Sequence, residues 1–173
     1  MKTYKFMAVT SNSDMIMGLT YPVIFGLPIL AVRLGAFYFG VDEFFKSHSL
    51  LSILIIFSVL YCSYLSIKKI QQSLIRTYVV ELDYDNISIL ENDREIMSGK
   101  VSFCDIHNKQ KRTVRSVSVD ICTENDKITL RTRSKEYKSI TGLTNYNMFG
   151  IGDSSDMDTL LSLGKELKNI VGE

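Results

Sequence analysis

A chain of 173 residues, 46% apolar and 23% charged, has the length of one ordinary domain, yet its mean hydropathy of +0.09 is high for a soluble one. The net charge is +1, and residues 68–173 hold sixteen Lys/Arg against sixteen Asp/Glu, which leaves no broad basic field for nucleic acid. Three cysteines without a C-x-x-C spacing, Cys62, Cys104 and Cys122, make neither a disulfide framework nor a zinc site and suit a reducing compartment.

Residues 1–14 read as a short cytosolic segment. Behind them the apolar residues gather into two uncharged runs, 15–32 and 47–67, of 18 and 21 residues. As helices, runs of that length cross a hydrocarbon core of roughly 30 Å. Pro22, Pro28 and the second run close behind the first argue against a cleaved signal peptide. Residues 15–67 therefore read as a transmembrane helical hairpin. Lys2 and Lys5 precede it, Lys68, Lys69 and Arg76 follow it, and only Lys46 lies in the connection, beside Asp42 and Glu43. That bias places both termini in the cytosol. Phe37, Tyr38, Phe39, Phe44 and Phe45 mark the outer interface, and Tyr61 and Tyr64 the inner one.

Small residues recur every four positions at Gly18, Pro22 and Gly26, and again at Ser58, Cys62 and Ser66. Such stripes let helix backbones approach closely, and the expectation is that they pack on each other within the hairpin. Arg33 is the one charge within reach of the membrane interior. From a helix beginning at Met15 it snorkels to the outer interface; from one beginning nearer Leu19 it is a functional intramembrane charge that needs a partner.

Ile67, Ile70, Leu74 and Ile75 carry a helical period past the apolar run, so residues 68–76 read as a helical stalk. From residue 77 the period becomes two. Seven short strands are expected: Tyr78 to Leu82, Ile87 to Ile89, a short run at Ile96, Val101 to Ile106, Val114 to Cys122, Ile128 to Leu130, and a weak segment with Tyr137 and Ile140. Turn residues separate them at 83–86, 92–93, 98–99 and 124–126. After Gly150 and Gly152 the period returns to helical. Ser155 with Asp158 resembles a capping box, and Met157, Leu160, Leu161, Gly164, Leu167 and Val171 form one apolar face. The expected domain, residues 77–173, is a mainly-β barrel or sandwich whose open end the last helix closes.

A membrane hairpin, a stalk, about seven strands and one closing helix resemble the bacterial membrane proteins that carry a pleckstrin-homology-like domain after a transmembrane hairpin. The resemblance is carried by residues 77–89 and by 105–110 leading into 116–123. It implies a PH-like fold and a binding or scaffolding role, and it brings no catalytic residue.

The residues themselves offer little chemistry. His107 stands near Cys104 and Asp105, but alternation along a strand keeps the three from converging on one ion. No nucleophile-elbow, Walker, H-E-x-x-H or Rossmann pattern occurs. The acids Glu81, Asp83, Asp85, Glu91, Asp93 and Glu95 read as solvated turns without a calcium loop. Lys109, Lys111, Arg112 and Arg115 gather between the fourth and fifth strands, and Arg131, Arg133, Lys135 and Lys138 follow in and after the sixth. On a tethered domain the first four are the candidates for contact with anionic headgroups or an acidic partner. The expectation is thus a non-enzymatic membrane protein with no cofactor, metal, nucleic acid or small-molecule substrate. Its partners would be membrane lipids and another membrane or membrane-associated protein, a second copy included. An immunity protein against a bacterial toxin and an accessory subunit of a membrane enzyme or transporter are the rival readings.

Overall fold

Lys2–Thr10 form strand β1, ahead of both long helices. The computed structural model describes every residue except 41–42, 44–46, 112–113, 139–143, 148–149 and 173, and describes only the backbone of 111, 137–138 and 144–146. After β1 come α1 (Ser11–Tyr38), α2 (Ser49–Leu74), β2 (Arg76–Asp83), β3 (Asn86–Glu91), β4 (Arg94–Lys111), β5 (Val114–Thr123), β6 (Lys127–Arg133), β7 (Glu136–Lys138), β8 (Thr144–Tyr146) and α3 (Ser154–Val171). Two compact units result: Met1–Asp14 with Ile75–Glu173, and Met15–Leu74.

In the first unit β1 to β6 form a closed antiparallel barrel, and β7 pairs with β8 in a separate two-stranded sheet. The sequence reading of residues 1–14 as a segment outside the β domain is corrected here. β1 pairs with β2 from Lys2↔Leu82 to Ala8↔Arg76, then with β6 at Val9↔Arg131 and Thr10↔Leu130. Ala8 and Val9 are both fully buried, although neighbours on a strand ordinarily face opposite ways; the strand changes partner between them. Closure by β1 leaves the barrel no free edge.

The seven expected strands are also corrected. The runs at Ile96 and Val101 belong to one long strand, β4, which pairs with β3 through Lys100 and with β5 from Val101 onward. Gly99, read as a turn, has φ +142 and lets the strand bend where it changes partner. The turns at 83–86 and 92–93 hold, with Tyr84, Asn92 and Asp93 in the left-handed region. The weak seventh segment is β7, outside the barrel; its Ile140 lies outside the described residues, as do Asp42, Phe44, Phe45 and Lys46 of the helix connection.

Side chains fill the barrel. Phe6, Tyr78, Val80, Ile89, Val119 and Leu130 are 2% exposed or less, and the Phe6 and Tyr78 rings stack with centroids 6.3 Å apart. Helix α3 covers the core with Met157, Leu160, Leu163 and Leu167. It lies so close that a Cβ on Gly164 would stand 3.0 Å from Ile106 Cγ1 and 3.2 Å from Val119 Cγ2. The cap of α3 sits two residues earlier than the sequence suggests. Asp153 is the N-cap and Asp156 accepts its backbone N–H at 2.8 Å, while Ser155 and Asp158 lie inside the helix.

In the second unit α1 and α2 are, by length and composition, able to cross a membrane. At 28 and 26 residues they measure about 42 and 39 Å. Met17, Tyr21 and Ala36 of α1 and Ser63 and Ile67 of α2 are buried, and Ser63 Oγ donates to the Ile24 carbonyl at 3.0 Å. The expected packing of the small-residue stripes is not what forms. A Cβ on Gly18 or Gly26 would meet nothing within 4 Å. Ser58, Cys62 and Ser66 are exposed, with Ser58 and Ser66 bonded to carbonyls of their own helix, Leu54 and Cys62. Apolar side chains face outward instead, Leu54 at 65% and Phe57 at 66% exposure.

Leu160→Ala is expected to lower stability by about 2–5 kcal/mol, because a buried leucine leaves a cavity. Leu161→Ala, at the half-buried rim, should cost clearly less. Urea unfolding of the full chain in mild detergent compares the two.

Candidate functional site

A charged layer surrounds the point where β1 hands over to α1. Thr10 ends β1, and its Oγ1 accepts the Ser13 N–H at 3.3 Å, turning the chain into the first helical turn. Asp14 sits in that turn, where free N–H groups favour a carboxylate. Arg131 and Arg133 stand two residues apart on β6 and so share its outer face, opposite Ser118 and Ser116 of β5. Arg131 Nη1 reaches Asp14 Oδ2 at 2.8 Å, Arg133 Nη2 bonds Oδ1, and Arg131 Nε lies 3.4 Å from Ser118 Oγ. The Asp14 side chain is only 10% exposed. One carboxylate thus lies between two guanidinium groups, and the cluster keeps one positive charge.

The first turns of α3 extend the layer. Asp158 Oδ1 receives Arg115 Nη1 at 2.8 Å, and Asp153 faces Lys135 Nζ at 3.8 Å. Asp156 also accepts the backbone N–H of Met7 at 3.0 Å, tying α3 to β1 near the residue where β1 changes partner. Gly152 permits this approach, since a Cβ there would lie 2.6 Å from Thr132 Oγ1 and 2.8 Å from Asp156 Oδ2.

Of the four basic residues singled out in the sequence, the structure describes the side chains of two, Lys109 and Arg115. Lys109 is exposed on β4. Arg115 is committed to Asp158, with Nε 3.4 Å from Asn108 Oδ1. The side chain of Lys111 and all of Arg112 lie outside the described residues. Arg131, Arg133 and Lys135 face carboxylates of the same chain, and the Lys138 side chain is outside the description. Sequence reasoning missed Asp14, the acid that organises the layer, because it was assigned to a separate tail. Its signal was present: a lone acid directly ahead of an uncharged helix.

On β4 Cys104 points into the core, with Sγ 3.7 Å from the Gly164 carbonyl, and burial pushes its thiol up to about 11. Asp105 and His107 point outward. Asp105 accepts the Ile106 N–H at 2.8 Å and faces His107 Nε2 at 3.4 Å and Lys168 Nζ at 3.5 Å. The Ile106 hydrogen bond and then the His107 and Lys168 charges hold its carboxyl below its ordinary value. Among the described residues no three His, Cys, Asp or Glu side chains form a group that holds a metal. The turn acids make exposed ion pairs, Asp85 with Lys100 and Glu91 with Arg76, each at 3.5 Å.

A second tie joins β1 to α3. Glu166 accepts Lys2 Nζ at 2.6 Å and the Tyr4 hydroxyl, and these bonds hold its carboxyl below its ordinary value. Burial, aided by the Glu166 hydrogen bond and charge, pushes the Tyr4 phenol up to about 12. Burial and then the Glu91 charge do the same for Tyr78, against Arg76.

Two outcomes follow. Asp14→Asn strands two guanidinium groups, and because Arg131 and Arg133 keep some solvent the expected cost is about 1–2 kcal/mol. Adding Arg133→Gln should return part of it, as a double-mutant cycle on unfolding free energy will measure. On the alkaline side Tyr4, Tyr78 and Cys104 all have folded pKa values above their ordinary ones of 10.0, 10.0 and 9.0. The folded state therefore resists deprotonation: their stabilisation is complete below about pH 9 and is lost as pH rises toward about 12. The part of the phenolate absorbance that Tyr4→Phe and Tyr78→Phe remove should lag the ordinary tyrosine titration until unfolding, and Tyr78→Phe should soften the alkaline loss.

No protein-family model, curated protein or solved structure matches this chain, so no family is assigned.

Proposed function

We propose that this chain is a small integral protein of a bacterial inner membrane. Its helices form a transmembrane hairpin that anchors a PH-like barrel on the cytosolic side, and it acts by binding or scaffolding, without catalysis. The observation that carries the reading is the pairing of β1 with β2, seven residue pairs from Lys2↔Leu82 to Ala8↔Arg76, with both long helices between the two strands in sequence. Strands that hydrogen-bond lie on one side of a bilayer, so the intervening chain crosses it an even number of times. Two helices of membrane-spanning length meet that requirement. Their outward apolar side chains, left in water, would form a surface that soluble monomers avoid.

Orientation rests on the basic residues. Lys2, Lys5, Lys68, Lys69 and Arg76 flank the hairpin on the barrel's side, against Lys46 in the connection, which favours the cytosol for the barrel. Binding is favoured over chemistry because the barrel interior is occupied by side chains such as Tyr78, Ile89 and Leu130, which leaves the outer surface and the rim of α3 for contacts. The covering of the barrel core by one amphipathic C-terminal helix also supports the PH-like likeness.

Cysteine labelling tests the arrangement. In a Cys62→Ser background, Ser47→Cys should react with an impermeant thiol reagent added to intact cells, and Asn125→Cys only after the cells are opened. Labelling of Asn125→Cys from outside would reverse the orientation. Labelling of both from outside would remove the hairpin.

A further inference from the structure

We propose that the groove between α1 and α2 near Arg33 binds an anionic phospholipid, with the lipid phosphate on the Arg33 guanidinium and an acyl chain along the apolar walls; this rests on the membrane reading above. The groove encloses about 680 Å³, walled by Val32 of α1 and Ile55, Ile56 and Val59 of α2 among others. Its polar side chains are Arg33 and Ser52, and Ser52 Oγ already donates to the His48 carbonyl at 3.2 Å. One cation among otherwise apolar walls matches an amphiphile with an anionic head.

Depth agrees with that occupant. Arg33 lies five residues before the end of α1 at Tyr38, about 7–8 Å along the axis. A helix of about 42 Å exceeds a hydrocarbon core of roughly 30 Å by about 6 Å at each end, so the Arg33 backbone lies within about 2 Å of the core's edge and its long side chain reaches the headgroups. Guanidinium binds phosphate oxygens through paired, charge-assisted hydrogen bonds. A second copy of the chain is the weaker occupant. Residues 15–41 and 47–74 contain no Asp or Glu, so a copy's helix laid in the groove would desolvate Arg33 and offer it no counter-charge. Free phosphate would satisfy Arg33 and leave the walls uncovered.

The test uses the full chain reconstituted in vesicles of mixed phosphatidylglycerol and phosphatidylcholine, extracted in mild detergent and weighed by native mass spectrometry. Wild type should retain phosphatidylglycerol in preference to phosphatidylcholine, and excess inorganic phosphate should not displace it. Arg33→Gln should lower that preference by about fivefold or more, the effect of one basic residue at a charged surface. Arg33→Lys should keep part of it. Equal retention by wild type and Arg33→Gln overturns the proposal, and so does displacement by phosphate. A lipid-free dimer that Arg33→Gln strengthens would assign the groove to a second copy and overturn it as well. An alkaline carbonate wash of the same vesicles separates the two readings. A wild-type chain that washes off removes the membrane reading and the groove with it, whereas one that stays but shows no headgroup preference removes the groove alone.

Discussion

Closure of the barrel depends on a strand whose partners lie beyond the hairpin in sequence. β1 ends at Thr10, β2 begins at Arg76, and the two long helices intervene. Holding the ends of so long an insertion together costs chain entropy, though the cost grows only slowly with length. The hairpin reduces it, because α2 runs back beside α1, with Met17, Thr20 and Tyr21 of α1 and Ile67, Ile70 and Gln71 of α2 lining one small gap near their barrel-proximal ends in sequence. Without β1, strands β2 and β6 would both present free edges.

β1 is held along its length by different forces. Its inner face enters the core through Phe6 and Ala8, and Val9 is buried as well. Its first residues are tied to α3 through Lys2, Tyr4 and Glu166, and its middle through Met7 and Asp156. Its exit into α1 is held by Asp14 against Arg131 and Arg133. Two of these ties involve the same closing helix, so α3 both covers the core and fastens the strand that closes the barrel. In this layer several cations that look free in the sequence face acids far away in sequence, and their field is local.

The hairpin unit is organised on the opposite principle. Few of its described side chains are buried, Ser58 and Ser66 bond their own helix, and a hydrogen bond from Ser63 to Ile24 links the two helices. Under the membrane reading proposed above there is no gain from hiding Leu54 or Phe57 against protein, since acyl chains would solvate them equally well. Arg33 is the exception, a group that lipid tails cannot solvate and that the unit's apolar helices do not neutralise.

Features with a local cause were legible in the chain. The two apolar helices follow from uncharged runs of 18 and 21 residues, the turns at 83–86 and 92–93 from Asp, Asn and Tyr84, and the closing helix from its apolar period. Features set by partners remote in sequence were not. Lys2–Thr10 has an alternating pattern of its own, but nothing within it names β2 and β6 as its neighbours. Ser98-Gly99 has turn chemistry, yet pairing with β3 on one side and β5 on the other draws it into one bent strand. Gly18 and Gly26 recur at the spacing of a packing stripe, but only the relative rotation of α1 and α2 decides which side faces inward, and it selected Met17 and Tyr21. Asp14 was visible as an acid before a helix; that it lies between two arginines was decided by barrel closure, which brings residues 14, 131 and 133 together across more than a hundred positions of sequence.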